Sequence, residues 1–267
     1  MFDHAYFNLG YLDTLSYGKT VIHRLDPRAK LIATLAFIVT VISFPKYEIT
    51  GLLPFFLFPV MVFSLGDIPI KFIMKKVLMV SPFALFIGIF NPLMDRQFLY
   101  ALFGVPISGG LISFLSIMLK FFLSITSALL LIATTSFPGI CHALQKMGMP
   151  EIFVSQLLFL YRYIFVLAEE TMKVVRARDM RSFAKRGWGI TAFTSIIGSL
   201  FLRTVERAER IYQAMLARGF TGTLHAMRPY CFKRADATFL AIIFGVLYLF
   251  RMHDIVGIVG RFSSRMF

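Results

Sequence analysis

The stretch that decides the fold is residues 111–135, LISFLSIMLKFFLSITSALLLIATT, in which Lys120 is the one charged side chain. At about 1.5 Å rise per residue, an α-helix of this length is roughly 37 Å long, which exceeds the ~30 Å hydrocarbon core of a bilayer. Inside hydrocarbon, every backbone polar group has to be hydrogen-bonded within its own segment. A run of this kind is therefore predicted to be a membrane-crossing helix.

The composition extends this prediction to the rest of the chain. Of its 267 residues, 58% are hydrophobic and 16% are charged, whereas soluble domains have roughly 45–50% and about 25%. The excess is gathered into long runs, which is typical of membrane proteins and not of a thick soluble core.

Four further apolar runs are predicted to be helices, which gives five membrane crossings in total. They are Leu31–Phe44, Ile49–Leu65, about Val77–Leu93, and Ala237–Phe250. Pro45 ends the first run, and Gly66 and Asp67 end the second. A short basic segment, Ile68–Lys76, precedes the third run, and a loop that includes Gly104–Gly110 follows it. The predicted fold class is all-α: a polytopic membrane protein with about five transmembrane helices plus long amphipathic cytoplasmic helices.

The distribution of lysine and arginine predicts the topology, because cytoplasmic loops are enriched in both. Four precede Leu31, three lie in Ile68–Lys76, and fifteen lie in Ser136–Asp236. The intervening loops offer only Lys46 and Arg96. This alternation places the N-terminus in the cytoplasm of a multi-pass protein of the cell (inner) membrane, and it explains the net charge of +14 without nucleic acid as a partner. The side of the C-terminal tail stays open.

The long segment between the fourth and fifth predicted crossings, residues 136–236, differs from an ordinary loop in two features. Ile152–Leu167 is apolar, but it is short and interrupted by Arg162. Both of its flanks count as cytoplasmic, so a helix along the inner leaflet is favoured over a sixth crossing. Glu169–Arg186 is predicted to continue as a charged helix in which Glu169 precedes Lys173 by four residues, a favourable spacing, and the glycines around Trp188 end it.

The segment Ile190–Ala217 is predicted to be one helix about 40 Å long. Its charged residues at three- and four-residue spacing share one side; they are Arg203, Glu206, Arg207 and Arg210. Such a side suits either an interfacial helix whose arginines reach anionic headgroups or a rod on which a protein partner docks. Composition does not choose between these alternatives.

Enzyme chemistry is not indicated. Gly18-Lys19-Thr20 matches the end of a phosphate-binding loop, but Asp13 stands where that loop requires glycine. The adjacent Glu169-Glu170 lack the arginine and histidine spacing of intramembrane proteases. The five histidines have no metal-ligand spacing. The sequence predicts no catalytic residue, no metal site and no cofactor, and Lys120 is equally compatible with a functional charge and with a snorkelling one.

Two short motifs recur forty residues apart: Ala177-Arg178-Asp179 and Ala217-Arg218-Gly219. Each follows a basic helical segment. His23-Arg24-Leu25-Asp26-Pro27-Arg28-Ala29-Lys30-Leu31 precedes the first apolar run, and Met147-Gly148-Met149-Pro150 opens the region that holds the paired motifs. With these features the chain resembles, over nearly its whole length, the transmembrane T component of energy-coupling factor (ECF) transporters.

That resemblance implies a membrane scaffold that does not hydrolyse ATP itself. The paired motifs would lie on cytoplasmic coupling helices, and each would enter a groove on one of two ABC-type ATPase subunits, with Arg178 and Arg218 facing the ATPases. The same helices would support a separate substrate-binding membrane protein (the S or M component). Arginine offers a planar donor fork suited to a carboxylate, and small neighbours permit close packing. The side that carries Arg203, Glu206, Arg207 and Arg210 would be a supporting face.

The sequence departs from the family at Asp179, where the first motif usually has glycine. The carboxylate has Arg176 and Arg181 as neighbours that could pair with it. Within the family the chain is most similar to the cobalt-transport branch, CbiQ, which implies that cobalt or nickel would bind the partner membrane protein. The alternatives are a shared T component for vitamin uptake and an autonomous secondary transporter. The implied division is 1–135 for the N-terminal segment and first four transmembrane helices, 136–234 for the coupling region, and 235–267 for the last helix and tail.

Overall fold

The computed structural model describes residues 14–90, 92, 98–102, 105–181, 190–222 and 231–252. The helices within these ranges are α1 Pro27–Ile42, a 3₁₀ helix Thr50–Phe56, α2 Leu57–Gly66, α3 Ile70–Gly88, α4 Gly109–Thr134, α5 Phe137–Lys146, α6 Glu151–Arg181, α7 Ile190–Leu216 and α8 Arg234–Met252. This confirms the all-α class. One antiparallel hairpin, β1 Phe98–Leu102 with β2 Val105–Ser108, lies where the sequence predicted a loop. Strand β1 contains the aromatic residues Phe98 and Tyr100, and β2 contains the β-branched residues Val105 and Ile107, which favour extended backbone.

Three helices are long and apolar enough to cross a membrane, within the described part of the chain. They are α4, α6 and α8. The chain is therefore a multi-pass membrane protein. The segment predicted to lie along the inner leaflet is part of α6, and its placement relative to the bilayer stays a prediction.

The predicted bounds of the first three helices were wrong. Helix α1 begins at Pro27, four residues before the predicted start, because the Asp26 carboxylate caps it by accepting the Arg28 N–H at 2.9 Å. The second helix is divided into a 3₁₀ segment that contains Pro54 and the α-helix α2. The basic segment predicted as a loop is mostly helical, since α3 begins at Ile70. Lysines are good helix formers, and the loop prediction rested on their charge alone.

Three helices of the coupling region lie within the described residues, α5, α6 and α7. Phe137-Pro138-Gly139 opens α5, in agreement with the tolerance of proline in a first helical turn. The apolar and charged segments on either side of Ala168 form the single helix α6, in agreement with the predicted continuation at Glu169, and Arg162 is exposed on its surface. Gly148 ends the α5 turn with φ of +105°, a conformation that favours glycine. The predicted break at 187–189 lies outside the described residues.

The chain divides into two compact units, Leu12–Ser136 with Tyr230–Phe267, and Phe137–Pro229 with Met1–Tyr11. The first, here called the bundle unit, has an aromatic core. Phe37 stacks on Phe58 with ring centroids 4.4 Å apart, and Phe55 meets Phe44 edge to face at 5.2 Å. These rings are joined in one cluster by Val41, Leu52 and Leu123. Burial of such aromatic and aliphatic side chains fixes the mutual packing of α1, α2 and α4.

A buried polar cluster joins three helices of the bundle unit. Asp236 at the start of α8 accepts the backbone N–H of Asp26 at 2.8 Å with one carboxylate oxygen and the N–H of Lys233 at 2.7 Å with the other. Lys30 in α1 donates to the carbonyl of Thr134, at the end of α4, at 2.7 Å. Asp26, Lys30 and Asp236 are each at most 5% exposed. The LDPRAKL stretch thus connects α1 to α8 and to α4.

The Gly18-Lys19-Thr20 turn, rejected above as a phosphate loop, has a structural role. The His23 ring accepts the Thr20 hydroxyl at Nδ1, at 2.7 Å, and donates from Nε2 to the Leu15 carbonyl at 3.0 Å in the neutral tautomer that satisfies both contacts. A Cβ at Gly18 would lie 2.7 Å from the imidazole. Glycine is therefore required for the ring to pack against the turn.

This turn is predicted to be acid-sensitive. Burial lowers the pKa of His23 below its ordinary value of 6.5. Because the unfolded chain then binds a proton more readily than the folded one, the His23 contribution to stability is complete above about pH 6.5 and declines as the pH falls below it. Thermal unfolding of the purified chain at pH 7.5 and pH 5.5 should show a smaller acid-induced loss for His23→Gln than for the wild type. Equal losses would contradict the prediction.

Candidate functional site

The candidate site lies on an antiparallel helix pair, α6 and α7, in the unit Phe137–Pro229. The Phe159 ring near the start of α6 meets Phe220, just after α7, with centroids 6.2 Å apart. Further along, Arg207 of α7 and Glu170 of α6 form an ion pair at 3.0 Å. Helix α6 therefore runs from the end of α7 toward its beginning.

The first motif lies in the last turn of α6. Ala177 and Arg178 are half-buried and line a polar cleft between the two helices, whereas Asp179 is exposed. Asp179 does not line this cleft, so the departure from the usual glycine adds its side chain to the outer surface of the helix.

The second motif forms the C-terminal cap of α7. The N–H of Phe220 donates to the carbonyl of Met215, and that of Gly219 to the carbonyl of Leu216, both at 3.0 Å. Gly219 has a φ of +77°. This is the Schellman arrangement, in which a left-handed glycine ends the helix. Ala217, Arg218 and Gly219 are all exposed, and a Cβ at Gly219 would contact nothing within 4 Å.

Gly219 is expected to be required for its backbone conformation. Replacing it with alanine should cost about 1 kcal/mol and accelerate amide hydrogen exchange in the last turn of α7 about fivefold, because a Cβ is disfavoured in the left-handed region. Gly198, in the middle of the same helix and also open to solvent, is the matched control. Gly198→Ala should slow the exchange, since alanine is the better helix former. If both substitutions changed the amide exchange in the same way, the left-handed backbone of Gly219 would not be the reason that glycine is required there.

The antiparallel arrangement separates the two motifs. The second motif is adjacent to Phe220, which contacts Phe159. Arg178 lies 19 residues beyond Phe159 along α6, or roughly 28 Å at the helical rise. The helix pair thus presents one Ala-Arg motif at each of its ends.

The predicted supporting face is divided between two environments. Arg203 and Arg207 line the polar cleft that faces α6, and Arg207 is held there by Glu170. Glu206 and Arg210 pair with each other at 3.8 Å, and both side chains are about two-thirds exposed. The predicted Glu169–Lys173 pair is confirmed at 2.8 Å, but it is largely exposed and contributes little to stability.

The hydrogen bond of Lys120 and the burial of Cys141 were not predicted from sequence. Lys120 donates to the carbonyl of Phe44 at 2.6 Å, just after the end of α1. It therefore satisfies a backbone group, and neither of the two alternatives offered for this lysine describes that contact.

Cys141 is buried in α5, and burial raises the pKa of its thiol to about 11, so this cysteine is a packing residue with little thiolate at neutral pH. Within the described ranges, no group of three His, Cys, Asp or Glu side chains could hold a metal ion.

Comparison with known proteins identifies the family. The family model described as "CbiQ: Cobalt transport protein" matches residues 18–230. The energy-coupling factor transporter transmembrane protein EcfT of Bacillus subtilis is 29% identical over 77% of this chain and 82% of its own length. The EcfT of Leuconostoc gelidum subsp. gasicomitatum is 25% identical over 87% and 92%. The putative fused cobalt transport protein CbiMQ of Methanocorpusculum labreanum is 33% identical over 43% of this chain and 20% of its own length. The chain belongs to the CbiQ family and is a transmembrane component of the energy-coupling factor type.

Proposed function

We propose that the chain is the scaffold that couples two ABC-type ATPase subunits to a substrate-binding membrane protein in a primary active importer. The observation that carries the proposal is the position of the two Ala-Arg motifs at opposite ends of the α6–α7 pair. A separation of roughly 28 Å allows two separate subunits to contact the pair at once. ATP-driven approach of those subunits would move both ends of the pair together.

The exposure of the second motif supports a protein contact at that end. Arg218 stands at the end of a long helix beside a glycine whose Cβ position is empty. A partner surface can therefore approach the α7 backbone closely, and the guanidinium fork can reach a carboxylate in a groove. At the other end, Arg178 is half-buried beside Ala177, so its guanidinium is more restricted before any partner binds.

Cobalt or nickel ions are the proposed substrate. The family description and the name of the Methanocorpusculum labreanum relative both refer to cobalt. The names of the EcfT relatives state no substrate, and the second candidate is a shared component for vitamin uptake. In either case the substrate would bind the partner membrane protein.

Co-purification tests the proposal. The chain, tagged at its N-terminus, is extracted from native membranes, and the proteins bound to it are identified. We expect an ATP-binding-cassette ATPase and a small membrane protein, and the identity of the latter would decide between a metal ion and a vitamin. Recovery of the chain alone, stable and monodisperse, would favour an autonomous transporter and contradict the scaffold.

A further inference from the structure

Two clefts of different chemistry adjoin each other between α6 and α7. One has a volume of about 760 Å³ and the other about 830 Å³. Val166 and Arg207 line both, so the clefts meet at this point. Each volume is in the range of sites that hold small organic molecules.

The first cleft is apolar. Its walls include Phe159 and Tyr163 from α6 and Ile211 and Met215 from α7. Ala208, a small and exposed residue of α7, leaves room between them. Such a lining suits a flexible hydrocarbon chain.

The second cleft is basic. It is lined by five cations, Lys173, Arg178, Arg181, Arg203 and Arg207, and by two carboxylates, Glu169 and Glu170. Glu169 pairs with Lys173 and Glu170 pairs with Arg207. Arg181 and Arg203 are exposed and have no hydrogen-bond or ion-pair partner among the described residues. The cleft therefore has an excess of positive charge at its walls.

We propose that an anionic glycerophospholipid occupies these clefts, with its phosphate at Arg203 and an acyl chain in the apolar cleft. The charge of Arg203 complements a phosphate, and the adjoining apolar lining complements the chain that is covalently attached to it. Basic pockets between membrane helices recognise anionic headgroups in this way. Helix α6 contains a stretch apolar enough to enter a bilayer, where it would be in contact with lipid. An acidic protein segment would fit the basic cleft but not the apolar one beside it.

Native mass spectrometry of the full chain in mild detergent tests this proposal, with added phosphatidylglycerol or phosphatidylcholine of identical chains. The wild type should bind phosphatidylglycerol at least fivefold more tightly. Arg203→Gln should remove about fivefold of this affinity, the value expected for one cation near an anionic headgroup. Arg210→Gln, the same change two turns along α7 and outside the clefts, should have no effect.

A second pair of variants tests the acyl chain. Ala208→Phe should fill the apolar cleft and weaken the binding of both lipids, whereas Ala214→Phe, on the exposed surface of the same helix, should not. Soluble glycerol phosphate should fail to displace the lipid. Equal affinity for both lipids, equal effects of Arg203→Gln and Arg210→Gln, or displacement by glycerol phosphate would each overturn the proposal. The readout involves neither ATPase nor transport, so it is independent of the proposed function.

Discussion

Replacing both Arg178 and Arg218 with alanine is expected to reduce ATP-driven uptake to background while the chain still inserts into the membrane. In an interface, truncating one partner of a buried charge pair costs about 2 kcal/mol or more, which is roughly 30-fold in affinity at each site. Each single variant should therefore weaken ATPase binding, and the double variant should abolish it. Uptake of radioactive cobalt and co-purification of the ATPase measure the two effects.

The structure supplies a matched control for this experiment. Arg162 lies on the exposed surface of α6 and belongs to neither motif. Arg162→Ala removes the same side chain from the same helix pair and should leave uptake intact. Arg218→Lys should retain only part of the activity, since an ammonium cannot reproduce a planar donor fork. Normal uptake by the double alanine variant would show that the motifs are ordinary helix ends.

Periodicity and charge were sufficient to predict the helical class and the number and order of most helices. The long run that contains Lys120 became α4 within two residues at its start, because an uninterrupted apolar segment has no other way to satisfy its backbone in a bilayer. The α7 prediction was equally close, since Gly219 signals its end and a glycine in that position is the commonest helix stop.

Charge was a poor guide to where α3 begins. The lysines near Lys75 were assigned to a loop, but they lie within this helix. Lysine and arginine have high helix propensity, and an exposed helical face tolerates them without loss. The hairpin at residues 98–108 was missed because its strands are too short for a clear two-residue period.

Contacts between residues distant in sequence could not be predicted. The pairing of Arg207 with Glu170 requires α6 and α7 to be antiparallel and in one particular register. The Lys120 contact with Phe44 likewise depends on the packing of α4 against α1. A single sequence gives the chemical capacity of each side chain but not its neighbour in space. The position of the Ala-Arg motifs at opposite ends of one helix pair could be derived only from the structure.

The buried cluster around Asp236 leads to the largest expected loss of stability. Asp236→Ala should leave the Asp26 N–H buried without an acceptor, remove the cap at the start of α8 and deprive Lys30 of a nearby carboxylate. Loss of one partner from a buried charged cluster costs about 3 kcal/mol or more, which corresponds to roughly 6–12 °C in Tm for a domain of this size. Thermal unfolding in detergent measures the shift.

Two further substitutions separate the charge of Asp236 from its hydrogen bonds. Asp236→Asn keeps a carbonyl oxygen that can accept the Asp26 N–H, so it should lose less stability than the alanine variant. Thr238→Ala, half a turn along α8, removes an exposed hydroxyl that bonds only within its own helix, and its Tm should stay within about 1 °C of the wild type because exposed substitutions rarely exceed ±0.5 kcal/mol. If Asp236→Ala matched Thr238→Ala, the cluster would contribute nothing to the attachment of α8. If Asp236→Asn matched Asp236→Ala instead, the negative charge beside Lys30 would be the dominant contribution, with the hydrogen bond to Asp26 secondary.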